Sequence, residues 1–356
     1  MRINHLISQQ SLKTLSIGIL GGIVCYYLKV PLAWMLGAMI ATTFASLGGV
    51  DLSLPANFRG AFITILGVYL GSAFTSEILD QIVRWPLSLS ALVLYVGAIS
   101  TLLYWYFRKF LGFDSVTAFF SATPGGLGSM VIAGGAMGGD ERKIALVHGA
   151  RVLLVVLAIP LWFRYQEPSL ATANSGSGLS LVDADLLDML TLLGCAISGV
   201  WLGKLMRLPA HGLLGPMLVS AIVHITGISH SPPPTELVAA AQVVIGCSVV
   251  ARFSGVPIRQ VLTIMLASSG ATVLMLGTTV AFTLVISHLT GFGVQPLILA
   301  FSPGGLAEMS MIALSLGIET AFVATHHMFR ILLIVVTAPL VFNFIRRVKN
   351  PTNTPT

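Results

Sequence analysis

One eight-residue stretch occurs twice in this chain, first as Thr123-Pro124-Gly125-Gly126-Leu127-Gly128-Ser129-Met130 and then as Ser302-Pro303-Gly304-Gly305-Leu306-Ala307-Glu308-Met309. Both copies interrupt apolar sequence. Proline removes a backbone donor and paired glycines admit close backbone approach, so each copy is a break built into a hydrophobic helix. Inside a bilayer, irregular backbone survives only where protein or a watery cavity satisfies its freed polar groups. Each copy therefore nominates a site.

The pairing extends well beyond the motif. At an offset of 179, Gly112-Phe113 falls on Gly291-Phe292, Asp140 on Glu319, His148 on His327, Arg151 on Arg330 and Pro160 on Pro339. Gly67 falls on Gly246 at the same offset, and Pro31 and Gly37 fall on Pro209 and Gly215 at 178. One unit has been duplicated with one deletion. A period this long is unlike a solenoid and matches the two-repeat plan of secondary transporters.

Composition narrows the class. Only 9% of the 356 residues are charged and 55% are hydrophobic, with a mean hydropathy of +0.91, far from the roughly 25% charge of soluble domains. This predicts an all-α polytopic membrane protein whose first partner is the lipid bilayer. The net charge of +6 comes with no nucleic-acid reading motif and is the excess expected of cytoplasmic loops. Cys25, Cys195 and Cys247 stand singly in apolar segments, without disulfide or metal spacing.

In order, residues 1–165 form a first membrane repeat, 166–185 a polar linker, 186–347 a second repeat and 348–356 a tail. Predicted helices in the first half cover 15–28, 32–49, 59–75, 86–107, the interrupted segment 115–137 and 144–163, with a loop around Glu77, Asp80 and Arg84. The second half repeats them at 186–205, 211–228, 236–253, 261–288, 296–316 and 320–344.

Loop charge arbitrates the topology. If each broken segment dips in and returns on one side, each half crosses five times. With the N-terminus inside, the inner face then holds Arg2, Lys13, Arg59, Arg108, Lys109, Arg142, Lys143, Lys204, Arg207, Arg252, Arg259, Arg346, Arg347 and Lys349, against Lys29, Arg84 and Arg164 outside. If the broken segments span fully, the same charges divide almost evenly. The expectation is two inverted repeats, about ten transmembrane helices and two re-entrant hairpins opening from opposite faces, with both termini cytoplasmic.

The hairpin tips would meet near the midplane, where helix-end amides can hold an anion and freed carbonyls a cation. Substrate-binding candidates are Thr123, Gly125, Gly126, Ser129, Ser302, Gly304 and Gly305, with Arg151 and Arg330. Each arginine follows a histidine by three residues, on one helix face. An arginine deep in a membrane costs about 2.5 to 3.5 kcal/mol on insertion scales, so each needs a partner or a cavity. A guanidinium fork suits a carboxylate; the bland alternative ties it to a hairpin carbonyl or to Glu308. Glu308, whose counterpart is Ser129, is a coupling-ion candidate with His148 and His327, the ion being a proton or sodium. Asp140 and Glu319 fit helix starts, where acids offset the dipole.

The duplicated Pro-Gly-Gly-Leu tips, the His-x-x-Arg pairs and the Pro31/Pro209 starts resemble the AbrB-duplication membrane proteins, across nearly the whole chain. That resemblance implies a bacterial inner membrane and, from the family's labels, a regulator of gene expression or an ammonia monooxygenase. Gly125-Gly126-Leu127-Gly128 is also similar to the GGxG hairpin tips of 2-hydroxycarboxylate carriers, from which it departs at Ala307. The leading expectation is a secondary carrier of a small organic anion, not an enzyme, without cofactor or metal; an elevator mechanism would make it a homodimer. A membrane regulator acting through a partner protein is the alternative. A metal monooxygenase would need ligands from His148, His326, His327 and Glu308, which lack clustered ligand spacing.

Overall fold

The structure, a computed structural model, describes residues 9–166, 179–250 and 258–349. Residues 1–8 with Arg2, most of the polar linker, the loop holding Arg252 and the tail from residue 350 onward lie outside the described residues. Regular structure among the described residues is helical throughout. The first half comprises α1 (Gln9–Tyr27), α2 (Ala33–Leu47), α3 (Ala56–Gly71), α4 (Ile78–Ile82), α5 (Trp85–Phe110), α6 (Ser115–Ala122), α7 (Leu127–Ala136) and α8 (Glu141–Gln166). The second comprises α9 (Leu186–Leu205), α10 (His211–Ile225), α11 (Thr235–Val250), α12 (Ile258–Thr290), α13 (Val294–Phe301), α14 (Leu306–Ser315) and α15 (Thr320–Lys349). The stretch expected to be a loop at 77–84 contains the short α4, which has no sequence periodicity long enough to reveal it. Helix α1 already includes Gln9, six residues before the start that apolar content alone suggests.

The duplication is visible in backbone conformation. Lys29 and Arg207 both have φ 53°, and Leu32 and Ala210 both have φ 51°. Four non-glycine residues in the left-handed region, paired at one offset, mark a tight turn that tertiary packing imposes on both halves. Close helix approach is likewise paired. A side chain at Gly21 would strike the Gly37 carbonyl, and one at Gly199 would strike Pro216 and Gly215, so α1 on α2 and α9 on α10 both depend on absent Cβ atoms.

The halves interlock. Helix α2 packs on α1 and on α11, while α10 packs on α9 and on α3. Gly67 of α3 abuts the Leu213 carbonyl of α10, and Gly246 of α11 abuts the Met35 carbonyl of α2, which gives that sequence-paired glycine couple its purpose. Helices α5, α6, α8, α12, α13 and α15 form a second group around the broken segments.

Large apolar side chains cover the outer surface, among them Leu20, Leu94, Ile197, Leu266 and Val336. Tyr27 and Tyr165 stand exposed at helix ends with Trp105 and Trp201, as in the aromatic belts of membrane proteins. Among the described residues, five helices are long and apolar enough to cross a bilayer: Trp85–Phe110, Glu141–Gln166, Leu186–Leu205, Val261–Thr290 and Thr320–Ile345. Helices α2 and α10 have 15 residues and α3 and α11 have 16. At 1.5 Å per residue these reach only about 22 to 24 Å, short of a hydrocarbon core of about 30 Å.

Candidate functional site

Each motif breaks its helix as its residues require. Asp114 caps α6 by accepting from the Val116 and Thr117 amides at 3.0 and 2.9 Å. The helix stops at Thr123, before Pro124, and α7 restarts from Gly126 as its N-cap. The same order holds for α13, Ser302, Pro303, Gly305 and α14. The exit of the first segment returns to its entry, since the Asp140 amide donates to Thr117 Oγ1 at 2.9 Å. Asp140 then opens α8, accepting from the Lys143 amide at 3.0 Å and pairing with its ammonium at 3.2 Å.

The tips are buried at Thr123, Gly125, Ser302 and Gly304, and half-buried at Gly126 and Gly305. The hydroxyls of Thr123 and Ser302 are occupied locally, donating to Phe119 O at 2.8 Å and to Ile298 O at 2.6 Å. Ser129 is half-buried on α7, over Gly126. Gly125 packs on Ile334 of α15, so the first tip leans on the histidine-arginine helix of the other repeat.

The two histidines behave alike at the tips. His148 Nε2 lies 2.9 Å from Phe120 O, and His327 Nε2 lies 2.9 Å from Leu299 O, positions equivalent at the offset of 179.

The two arginines do not behave alike. Arg330 is 2% exposed and donates to Ser302 O at 2.8 Å, to Gly304 O at 2.9 Å and to His327 Nδ1 at 2.8 Å. It staples the second tip by its carbonyls. Arg151 is 5% exposed, and its Nε and Nη1 have no hydrogen-bond partner among the described residues. The carbonyl it would be expected to take, Thr123 O, accepts from the Gly125 amide at 2.8 Å instead. The first tip thus satisfies that carbonyl within its own backbone and leaves Nε and Nη1 of its arginine without a hydrogen bond.

Glu308 is 9% exposed at the first turn of α14. A Cβ on Gly305 would run into its carboxylate, so the glycine makes room for Glu308 over the helix start, where the dipole favours a negative charge. Among the described residues the ion pair found is Lys143–Asp140; Glu308 is not the salt partner of either arginine.

Three further residues carry no sequence signal as singles. Tyr95 of α5 is fully buried, bonds Thr279 of α12 at 2.8 Å, and lies within electrostatic reach of both arginines. Arg151 also feels the repulsion of Arg330. Ser88 of α5 reaches His326 at 2.9 Å. Only a fold that brings α5 against α12 and α15 gives these residues a shared address.

The repeats also differ in cover. On α14 every residue from Leu306 to Ala313 is buried, whereas on α7 only Met130 and Gly134 are. Helix α14 packs on α3. Ile132 on α7 is 72% exposed. Among the described residues, no three His, Cys, Asp or Glu side chains gather as a metal site.

Apolar outer surface, membrane-length helices and two broken helices facing buried arginines define a helical membrane protein with a duplicated, polar intramembrane centre. Residues 34–346 match the family described as Transition state regulatory protein AbrB, and the chain belongs to that family. It is similar to a Bacillus subtilis (strain 168) protein named Uncharacterized protein YhjN, 26% identical over 91% of this chain and 90% of that one. It is also similar to an Escherichia coli (strain K12) protein named Putative regulator AbrB, 28% identical over 93% of each.

Proposed function

We propose that this protein is a secondary carrier of a small organic anion, with the anion held by Arg151 between the two hairpin tips. The observation that carries this reading is the difference between equivalent arginines: Arg330 spends its fork on the tip carbonyls, and Arg151 keeps a buried charge with two unpartnered nitrogens. Ionisable side chains inside a membrane almost always pair or face a watery cavity, and they mark substrate and ion pathways. A carboxylate supplies the planar, bidentate complement. The N-termini of α7 and α14, both at glycine caps, add favourable dipoles.

The arrangement that goes with this function is ten crossings and two re-entrant hairpins, the repeats inverted in a bacterial inner membrane with both termini inside. Contacts across the chain support it. Full crossing by both broken segments would put Arg164 and Lys29 on opposite faces, and Arg59 and Ser248 likewise. Arg164 instead donates to Lys29 O at 3.0 Å, and Arg59 Nε donates to Ser248 Oγ at 3.0 Å. The short helices then cross with help from their flanking turns or a thinned bilayer. Hairpin 1 opens from the inner face, so the uncovered side of α7 gives the ligand an inward route. The chemistry proposed is binding and translocation alone, without catalysis, cofactor or metal.

Thermal shift on purified protein tests the reading. A panel of small carboxylates, aromatic acids, inorganic anions and ammonium should contain a stabilising anion, because a ligand that binds the folded state raises apparent stability. Arg151→Ala should lose that stabilisation. A panel without any stabilising anion, or stabilisation unchanged in Arg151→Ala, would overturn it. The regulator named for the E. coli relative is the second reading, and co-purification of a specific cytoplasmic partner would favour it.

A further inference from the structure

We propose that His326, which follows neither repeat, is the residue on which this protein takes up a proton, with Ser88 as the hydroxyl that reorients to receive it. His326 Nδ1 lies 2.8 Å from the Phe322 carbonyl, an acceptor only, so this nitrogen carries hydrogen. Nε2 lies 2.9 Å from Ser88 Oγ, and that same oxygen lies 2.9 Å from the Trp85 carbonyl. A serine has one hydroxyl hydrogen. With neutral imidazole it points at Nε2. When a proton binds at Nε2, the new N–H donates to Ser88 Oγ and the hydroxyl hydrogen turns to Trp85 O. Both states satisfy the ring without moving a heavy atom, and protonation turns a two-bond arrangement into a three-bond one.

His327 has no such freedom. Its Nε2 faces Leu299 O and its Nδ1 accepts from Arg330 Nη2 at 2.8 Å. A proton on Nδ1 would set two N–H groups against each other and break the staple on the second tip.

The surroundings suit a transient charge. The ring is fully buried among Phe322, with centroids 4.0 Å apart, Phe301 at 6.3 Å and Trp85 at 6.4 Å. These faces admit a cation while excluding water. Charged and titratable groups on the elements packed against it are His327, Arg330, Arg346, Arg347 and Lys349 of α15, Tyr95, Tyr104, Tyr106, Arg108 and Lys109 of α5, Glu308 of α14, and Arg59 and Tyr69 of α3. Helices α7 and α13 bring none. The nearest of these, His327, interacts with it electrostatically and adjoins Arg330. A proton here therefore bears on the residue pair that holds Ser302 and Gly304. The equivalent of His326 in the first repeat is Val147, so the site is single, as Glu308 is.

Under the carrier reading this is a coupling proton, and that use rests on the reading; proton binding itself does not. Trp85 reports it directly, because an imidazolium beside an indole quenches its fluorescence. In a variant with Trp34, Trp105, Trp162 and Trp201 replaced by Phe, reconstituted in nanodiscs, Trp85 emission should fall reversibly as pH drops from about 8 to about 4, the range a perturbed histidine covers. His326→Gln should abolish the step and His327→Gln should keep it. Ser88→Ala, which tests the site even if His326→Gln does not fold, should move the midpoint down by about one pH unit through loss of the acceptor for the new N–H. Absence of a step, persistence of the step in His326→Gln, or an unmoved midpoint in Ser88→Ala would overturn the proposal. A His326-dependent step in a protein that no anion stabilises would leave the proton site standing and remove the carrier.

Discussion

Arg330 donates to the Ser302 carbonyl at 2.8 Å, and the equivalent carbonyl in the first repeat, Thr123 O, is closed instead by the Gly125 amide. Two copies of one sequence have thus divided a task. Arg330 gives structure to a tip, and Arg151 leaves its Nε and Nη1 without a hydrogen bond. Hydrogen bonds to a charged group contribute about 1.5 to 3 kcal/mol each, and Arg330 makes three of them at 2.8 to 2.9 Å. Arg330→Ala should cost about 3 kcal/mol or more in denaturant unfolding. Arg151→Ala removes an unpaired buried charge and should stay within about 1 kcal/mol of the parent. Equal losses in the two variants would remove the division of roles.

Topology is open to chemical labelling. In a cysteine-free variant, a cysteine at Ser231 should react with an impermeant maleimide added to intact cells, and one at Gly139 should react only after permeabilisation. Reaction of the Gly139 cysteine in intact cells would restore a fully spanning first segment.

Glu308 lies over its own helix start and pairs with no arginine. Glu308→Gln should therefore cost about 1 kcal/mol or less, the scale of a helix-dipole interaction, whereas breaking a buried ion pair would cost about 3 to 5 kcal/mol. If Glu308 carries the coupling ion, liposomes containing Glu308→Gln should exchange the stabilising anion and fail to concentrate it. Gly305→Ala, whose Cβ would meet the carboxylate, should reproduce that failure. A stable Glu308→Gln protein that still concentrates the anion, with an unchanged pH profile, would exclude the coupling role.

Asp114 predicts a local pH response at the entry of the first hairpin. Partial burial raises its carboxyl, but hydrogen bonds from Thr117 and Val116 outweigh this and hold it below the usual aspartate range. A depressed folded-state value means the cap is fully present above the unfolded value and is lost as pH falls through the folded one. The protection of the Val116 and Thr117 amides, taken relative to the unfolded-chain exchange rate at each pH, should fall below about pH 4. Asp114→Ala should show low protection at these two amides at every pH, at a stability cost of about 1 kcal/mol. Unchanged protection on acidification would mean that α6 is held by packing alone.

The class, the duplication and the places where helices break are legible in the amino-acid order, because each follows from local chemistry. Apolar runs need lipid or a core, Pro-Gly-Gly cannot continue a helix, and a shared offset marks a copied unit. It also brought His148, Arg151, His327 and Arg330 forward, since polar groups at helical spacing in apolar sequence are costly. It gave no sign that the two arginines differ, because Arg151 and Arg330 sit in equivalent local sequence. That difference arises where the first tip folds a hydrogen bond back on itself and α14, not α7, is covered by α3. Nor could it join Ser88 to His326, or Tyr95 to Thr279, since residues about two hundred apart meet only when helices pack. Periodicity and breaking residues act within a few turns of chain; which carbonyl an arginine reaches is decided by packing across the whole molecule.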